Sequence, residues 1–366
     1  MDIRDQRVVL TLDAGGTNFV FGAMQGGDAC IEPLSRPSQG HDLAACLGTI
    51  RDGFAEARAK VASVAAISFA FPGPSDYPNG IIGDLSNLPA FRGGVPLGPM
   101  LEDQFRVPVF INNDGDLFTF GEAIGGLLPE VNRAMAEAGS PKRFRNLLGA
   151  TFGTGLGGGL FCDGNLYMGD NSAGAEIWAT RNKLHRDSFS EEGVSIRAVR
   201  QVYAMVAGIA LEKAPEPKVI FEIGMGQQEG HVAAAQEAFR RLGEVAGDAL
   251  ANAITLVDGL VVIGGGLAGA APLFLPALVQ EMNAPVRTLA GAPVDRTELT
   301  TFNLEDSTAM AAFLKGDVRS IPVPGTERKV AYDALKRTGV GLSRLGTSGA
   351  TALGAYAFAI RQLDRA

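Results

Sequence analysis

Apolar residues along the chain fall into short runs punctuated by glycine, and in two places they follow one plan. Val8-Val9-Leu10-Thr11-Leu12 and Phe19-Val20-Phe21 are β-rich runs joined by Asp13-Ala14-Gly15-Gly16-Thr17-Asn18, which predicts a hairpin with a wide glycine turn. Leu147 to Phe152 and Leu160-Phe161-Cys162 flank Gly153-Thr154-Gly155-Leu156-Gly157-Gly158-Gly159 in the same way, about 140 residues further on. A repeated strand, glycine hairpin, strand unit suggests an internal duplication and two similar α/β domains facing one cleft. A third glycine cluster has different flanks. Val232, Ala235, Phe239, Leu242, Val245, Ala249 and Ala253 share one helical face, which leads into the strand Leu260 to Ile263, the turn Gly264-Gly265-Gly266 and a second helix through Phe274, Leu278 and Met282.

The remaining elements are coarser. Val61 to Phe71 reads as a buried strand ending at Pro72-Gly73-Pro74, Val107 to Ile111 as a strand ending in Asn112-Asn113-Asp114, and Thr351 to Leu363 as a helix. Residues 129–145 and the Pro-, Gly- and charge-rich stretch 284–344 read as additions to a compact core.

Composition narrows the class. With 366 residues, 46% hydrophobic and 20% charged, the chain has enough apolar content for about two globular domains. Its net charge of −8 works against a nucleic acid or an anionic lipid surface as partner and favours a small molecule. Three cysteines without a CxxC pair give neither a disulfide framework nor a cysteine zinc site, which fits a reducing cytoplasm, and the start carries no export signal. Gly259 to Gln280 is uncharged over the length of a membrane span, but it is broken by the glycine triplet, Pro272 and Pro276 and flanked by Asp258 and Glu281. No span is expected.

Two chemistries compete for the 48 glycines. The pattern GxGxxG occurs at Gly153/Gly155/Gly158 and Gly264/Gly266/Gly269, which raises a nicotinamide or flavin oxidoreductase. The first match runs into a strand rather than a helix, and the second lacks an acidic residue at a strand end about 20 residues on. The other use is phosphate binding: N–H groups unobstructed by Cβ wrap phosphate oxygens, Thr17 and Thr154 add hydroxyl donors, and Asp13 at a strand end offers an oxygen ligand to a Mg²⁺ on those phosphates.

At this point the chain resembles a known family. Leu12-Asp13-Ala14-Gly15-Gly16-Thr17-Asn18 resembles the first phosphate motif of the sugar kinase, Hsp70 and actin superfamily, Gly153 to Gly159 its second, and Val261-Val262-Ile263-Gly264-Gly265-Gly266 its adenosine motif. Phe71-Pro72-Gly73-Pro74, Ser86-Asn87-Leu88-Pro89, Asn113-Asp114 followed by Gly121-Glu122, and Gly169 to Glu176 stand in the order and spacing of the ROK family of bacterial sugar kinases and sugar-responsive repressors. The resemblance covers about residues 8–282 and 346–360.

It implies an α/β, two-domain actin-like ATPase (ribonuclease H-like) fold with an interdomain cleft. Residues 1–120 completed by the C-terminal helix 346–366 would form the smaller domain, and 121–345, with an inserted region at about 284–344, the larger. It further implies phosphorylation of a sugar hydroxyl by ATP with Mg²⁺, with Asp114 as general base. Asn87, Asn113, Glu176 and Glu191 would hold the sugar, with Glu192 an alternative to Glu191. Asp13, Gly15, Gly16, Thr17, Gly153, Thr154 and Gly155 would hold the phosphates and metal, and Gly264, Gly265 and Gly266 the adenosine. A catalytically silent sugar sensor is the second reading; only about seven residues precede the first strand, which leaves no room for a DNA-binding helix-turn-helix. The resemblance leaves a homodimer open.

The departures matter. The family's His three residues after the Glu falls at Ala179, and its cysteine-rich zinc loop is replaced by Asp187-Ser188-Phe189-Ser190-Glu191-Glu192. His185 is nearby, while His41 and His231 are distant and unpatterned. The zinc site is expected to be lost, and a pocket missing that His is expected to prefer a different sugar or pose, so that glucose is not assumed.

Overall fold

In the computed structural model, residues 5–15, 17–84 and 89–365 are described. Two six-stranded sheets carry the chain. In the first, the hairpin Val9–Ala14 and Asn18–Gln25 is antiparallel, and Ala66–Ala70 and Val109–Asn112 add in parallel beyond Val9–Ala14. The second sheet repeats the plan. Leu147–Phe152 and Leu156–Cys162 form the hairpin, and Leu260–Gly264, Arg337–Leu342 and Thr300–Asn303 follow in parallel.

Parallel strands covered on both faces read as continuous apolar runs, which is why the sequence shows blocks rather than alternation here. Along Leu260–Gly264, Val261 and Ile263 join a core formed with the helices Val232–Val257 and Ala271–Met282, while Leu260 and Val262 join one on the opposite face. Leu148 and Leu147 divide the same way. In the first sheet Leu10, Leu12, Ile67 and Phe69 pack with the helix Leu43–Ala59, and Val9 and Ala66 face the terminal helix Thr347–Leu363.

The terminal helix therefore touches both sheets: its Tyr356 and Ile360 belong with Val9, its Ala357 and Phe358 with Val262. Its partner is the helix Asp114–Gly125. The two cross at glycine. A Cβ on Gly354 would stand 1.9 Å from the Leu117 carbonyl oxygen, and one on Gly121 would stand 1.9 Å from that of Ala350. The crossing is locked by Glu122, fully buried, whose carboxylate accepts from Leu127 N, Ser343 Oγ, Arg344 N and Leu345 N.

Two expectations need correction. The stretch 284–344 is not simply an insertion, because Thr300–Asn303 and Arg337–Leu342 are strands of the second sheet, with fully buried Arg337 paired to Asp333. The exposed hairpin Val318–Pro322 with Lys329–Asp333 is the part that stands apart. Likewise 129–145 is no appendage: the helix Leu127–Glu137 and Phe144 bury Leu128, Val131 and Met135 against Leu147 and Phe313. The amphipathic spacing in Leu127–Glu137 was present in the sequence, but its Pro129 start and polar end masked it. The strand expected over 61–71 is shorter, Ala66–Ala70. Among the described residues no helix is long and apolar enough to cross a membrane.

Candidate active site

Val109–Asn112 ends, and the helix Asp114–Gly125 begins, within two residues, because Asn113 caps the helix: its Oδ1 accepts the Gly115 N–H at 2.8 Å. Asp114 is thereby placed at the first helical position with its carboxylate in the cleft, where Oδ1 also accepts from Gly115 N at 2.9 Å. Gly115 has no room for a side chain, since its Cβ would lie 2.4 Å from the carbonyl oxygen of Gly158 on the second hairpin. The hairpin is so pressed against the start of the helix.

Asp114 borders a cavity of about 570 Å³, within the usual range for a small-molecule site. Asn113, Glu176, Glu191, Gly153, Thr154, Gly155 and Gly265 line the same space. A smaller adjoining cavity of about 110 Å³ is shared by Asp114, Asp13, Thr347 and Thr351. The sequence-derived set thus converges from separate elements, with exceptions. Gly15 and Thr17 border neither cavity, and Gly264 is strand interior, its position closed by the Phe118 ring. Gly266 also borders neither, so of that triplet Gly265 alone reaches the cleft. Asn87 and Gly16 lie outside the described residues.

The carboxylates feel one another. Although Asp114 opens on the cleft, the surrounding walls remove water from it, and this desolvation raises its pKa above the ordinary aspartate value; the charge of Asp13 adds and the Gly115 N–H opposes. Glu176, half-buried, is raised by desolvation and by Asp114, against the indole N–H of Trp178, which donates to its carboxylate. Asp116 is buried below them, with Oδ1 lacking a hydrogen-bond partner among the described residues. Desolvation first, then Glu176 and Asp114, push its pKa well above the usual range. Tyr77, whose hydroxyl donates to the Phe71 carbonyl at 2.8 Å, interacts with Asn113 beneath the Gly73-Pro74 turn that edges the cavity.

Glu191 and its neighbour are separated by geometry. Glu191 borders the cavity, and its Oε2 accepts from Leu156 N at 3.1 Å, while Glu192 points away and pairs with Arg197. The loop that carries Glu191 is tied by a buried Asn182, whose Oδ1 accepts from Leu184 N at 2.9 Å and His185 N at 3.1 Å and whose amide donates to the Phe189 carbonyl at 3.3 Å. Lys183 anchors it further through ion pairs with Glu281 and, at 3.1 Å, Glu244. Glu281 is thereby engaged, also with Arg296, and serves no ribose as a dinucleotide fingerprint would require. His231 caps the helix Val232–Val257 through Nδ1. Among the described residues no group of three or more His, Cys, Asp or Glu is arranged to hold a metal ion.

Three residues of the cleft carried no motif. Thr347 opens the terminal helix and its Oγ1 accepts from Gly265 N at 2.8 Å, joining the third glycine turn to the helix crossing. Thr351 lies one turn on. Trp178 follows Glu176 by two positions, and the signal available for it was that it is the one tryptophan in the sequence.

The chain is similar to known proteins. The profile described as ROK family matches residues 9–314. A solved structure of glucokinase from Parabacteroides distasonis is 52% identical, covers 99% of both chains and superposes with a TM-score of 0.91. A ROK family glucokinase from Streptomyces griseus, solved with glucose and AMPPNP, shares the fold at 18% identity and a TM-score of 0.60, covering 95% of this chain and 98% of that one. N-acetyl-D-glucosamine kinase of Yersinia enterocolitica is 26% identical over 321 residues, 82% of this chain and 97% of the relative.

Proposed function

The chain belongs to the ROK family, and from that premise we propose that it is an ATP-dependent sugar kinase acting on a hexose or hexose derivative, with Asp114 as general base. The observation that carries the reading is the placement of Asp114 at a helix start in one cavity with Glu176, Glu191 and the Gly153–Gly155 turn. Relatives named for glucose and for N-acetyl-D-glucosamine phosphorylation support the substrate class.

A sugar hydroxyl held by Asn113, Glu176, Glu191 and Asn87 would face the Asp114 carboxylate, which accepts its proton as the oxygen attacks the γ-phosphorus of ATP. Desolvation raises the Asp114 pKa above the ordinary aspartate value, which makes its carboxylate a better proton acceptor than one in open water. The Gly153–Gly155 turn, which borders the cavity, would present N–H groups to the phosphates, and Gly265, the residue of its triplet that reaches the cleft, would lie on the adenosine side. Asp13, a hard oxygen donor that lines the smaller cavity with Asp114, would hold a Mg²⁺ brought with ATP, which would supply neutralisation of phosphate charge there. In this reading residues 1–120 with the terminal helix, and the remainder, act as two domains whose closure excludes water. Three free thiols and the use of ATP support a cytoplasmic place.

The test is an ADP-release screen over hexoses, hexosamines and ketoses, with the phosphosugar identified by mass. One sugar turned over at an enzyme-like rate is expected. Saturable sugar binding without phosphosugar would replace the kinase with the silent sensor, and neither binding nor turnover would overturn both.

A further inference from the structure

Trp178 lies on the short turn Ile177–Ala179, directly after Glu176. The ring is held from two sides. Its N–H is used by the Glu176 carboxylate, and it packs T-shaped against the Phe189 ring, centroids 5.7 Å apart and planes at 86°. Phe189 in turn immediately precedes the Ser190–Glu192 turn that carries Glu191. Despite this fixation Trp178 is 36% exposed, and it is the one aromatic residue bordering a cavity lined mostly by carboxylates, threonines and glycine backbone, with Pro74, Leu156 and Asn113, among the described residues.

Aromatic surface left open to water is an unused contribution to binding, since a ligand that covers it removes apolar area from water. The indole is also pre-organised: with its N–H satisfied and its ring packed on Phe189, a ligand meeting it has little rotamer freedom left to quench. The π face of such a ring pairs with polarised C–H groups or with a cation. A hexopyranose has such a C–H face, and its hydroxyls, which project around the ring, would then meet the Glu176 and Glu191 carboxylates that line the same cavity.

We infer that Trp178 determines sugar specificity: its face packs on the C–H face of the sugar ring, and its N–H orients the Glu176 carboxylate toward the ring hydroxyls. The inference rests on the proposed kinase reading and deepens it by assigning a residue that selects for a pyranose ring over an open-chain polyol.

Because the chain has a single tryptophan, emission of the intact protein reports this ring alone. Titration with the sugar that is turned over should shift or quench the emission saturably, with a midpoint matching the calorimetric Kd, whereas sorbitol should do neither. Two variants separate face from N–H. Trp178→Phe keeps an aromatic face and loses the donor; Trp178→Gln keeps a donor and loses the face. Trp178→Gln should raise KM for sugar by roughly tenfold or more, as expected for a lost apolar contact in a substrate pocket, with KM for ATP unchanged and kcat within about threefold. Trp178→Phe should raise it less. Unchanged emission at saturating sugar, with phosphosugar forming, would overturn the packing and leave the kinase reading standing. If no sugar is turned over, the kinase reading falls separately, and the same titration followed by calorimetry still decides: heat without an emission change, or no heat at all, overturns the inference.

Discussion

Glu191 Oε2 and the Leu156 backbone N–H are joined at 3.1 Å, so one carboxylate both borders the cavity and holds the strand that leaves the second glycine turn. A Cβ on Gly155 would stand 2.4 Å from the same oxygen, which shows how closely the loop of Glu191 is seated against the turn. In the proposed reading this bond joins the sugar side of the cavity to its phosphate side. Glu191→Ala should raise KM for sugar and for ATP together, and Glu191→Gln, which retains an acceptor oxygen, should raise the ATP value much less. A change confined to sugar in both variants would mean that the bond carries nothing across.

Asp114→Asn keeps the shape of the helix start and an acceptor for Gly115 N, but removes the base. Turnover should fall by about 10² to 10⁴ while the sugar Kd, read by calorimetry, changes by less than about threefold. Activity within a few-fold of the parent protein would remove Asp114 from the catalytic role.

Asp116 sets a pH dependence of stability. Its native pKa is raised by desolvation, so between the unfolded value, about 4, and that raised native value the folded chain retains a proton that the unfolded chain has released. Stability contributed by this group is present in full below that pH and is lost as pH rises through the native pKa. Asp116→Asn should match the parent near pH 4 and become progressively more stable relative to it as pH increases, measured by urea midpoints across pH 4–8. A difference that is flat with pH would show that the carboxyl is ionised in the folded state.

Gly354 tests the helix crossing. Gly354→Ala places a methyl against the Leu117 carbonyl oxygen, backbone that has no rotamer to change. A loss of about 1–3 kcal/mol or more is expected, the range for overpacking a close contact. Gly349→Ala, on the same helix with only the Leu345 side chain 3.9 Å from the new methyl, serves as control and should be neutral or slightly stabilising.

The loop carrying Glu191 is held by the Asn182 side chain and by Lys183 ion pairs. A strong chelator should therefore leave Tm unchanged while stopping turnover, because the Mg²⁺ that accompanies ATP is withdrawn with it. Asn182→Ala should lower Tm by removing the buried side chain that accepts from Leu184 N and His185 N and donates to the Phe189 carbonyl. One tightly held zinc per chain by elemental analysis would overturn the first expectation.

What the sequence determined by itself is the part that local rules govern. Glycine turns between β-rich runs can be read without partners, as can a carboxylate after Asn113 at a strand end and the face of Val232–Val257, because backbone freedom and side-chain periodicity act over a few residues. The tertiary structure decided which of these positions meet. Thr300–Asn303 and Arg337–Leu342 are short, polar-flanked strands that acquire their identity by pairing in a sheet already formed, and no local signal separates them from loop. Glu191 was divided from Glu192 by a bond to Leu156, and Gly265 from Gly264 and Gly266 by the bond to Thr347, contacts spanning 35 and 82 positions. Trp178 became part of a site only because Glu176 and Phe189 hold its ring at the cavity wall, and long-range packing of that kind leaves no periodic trace in the chain.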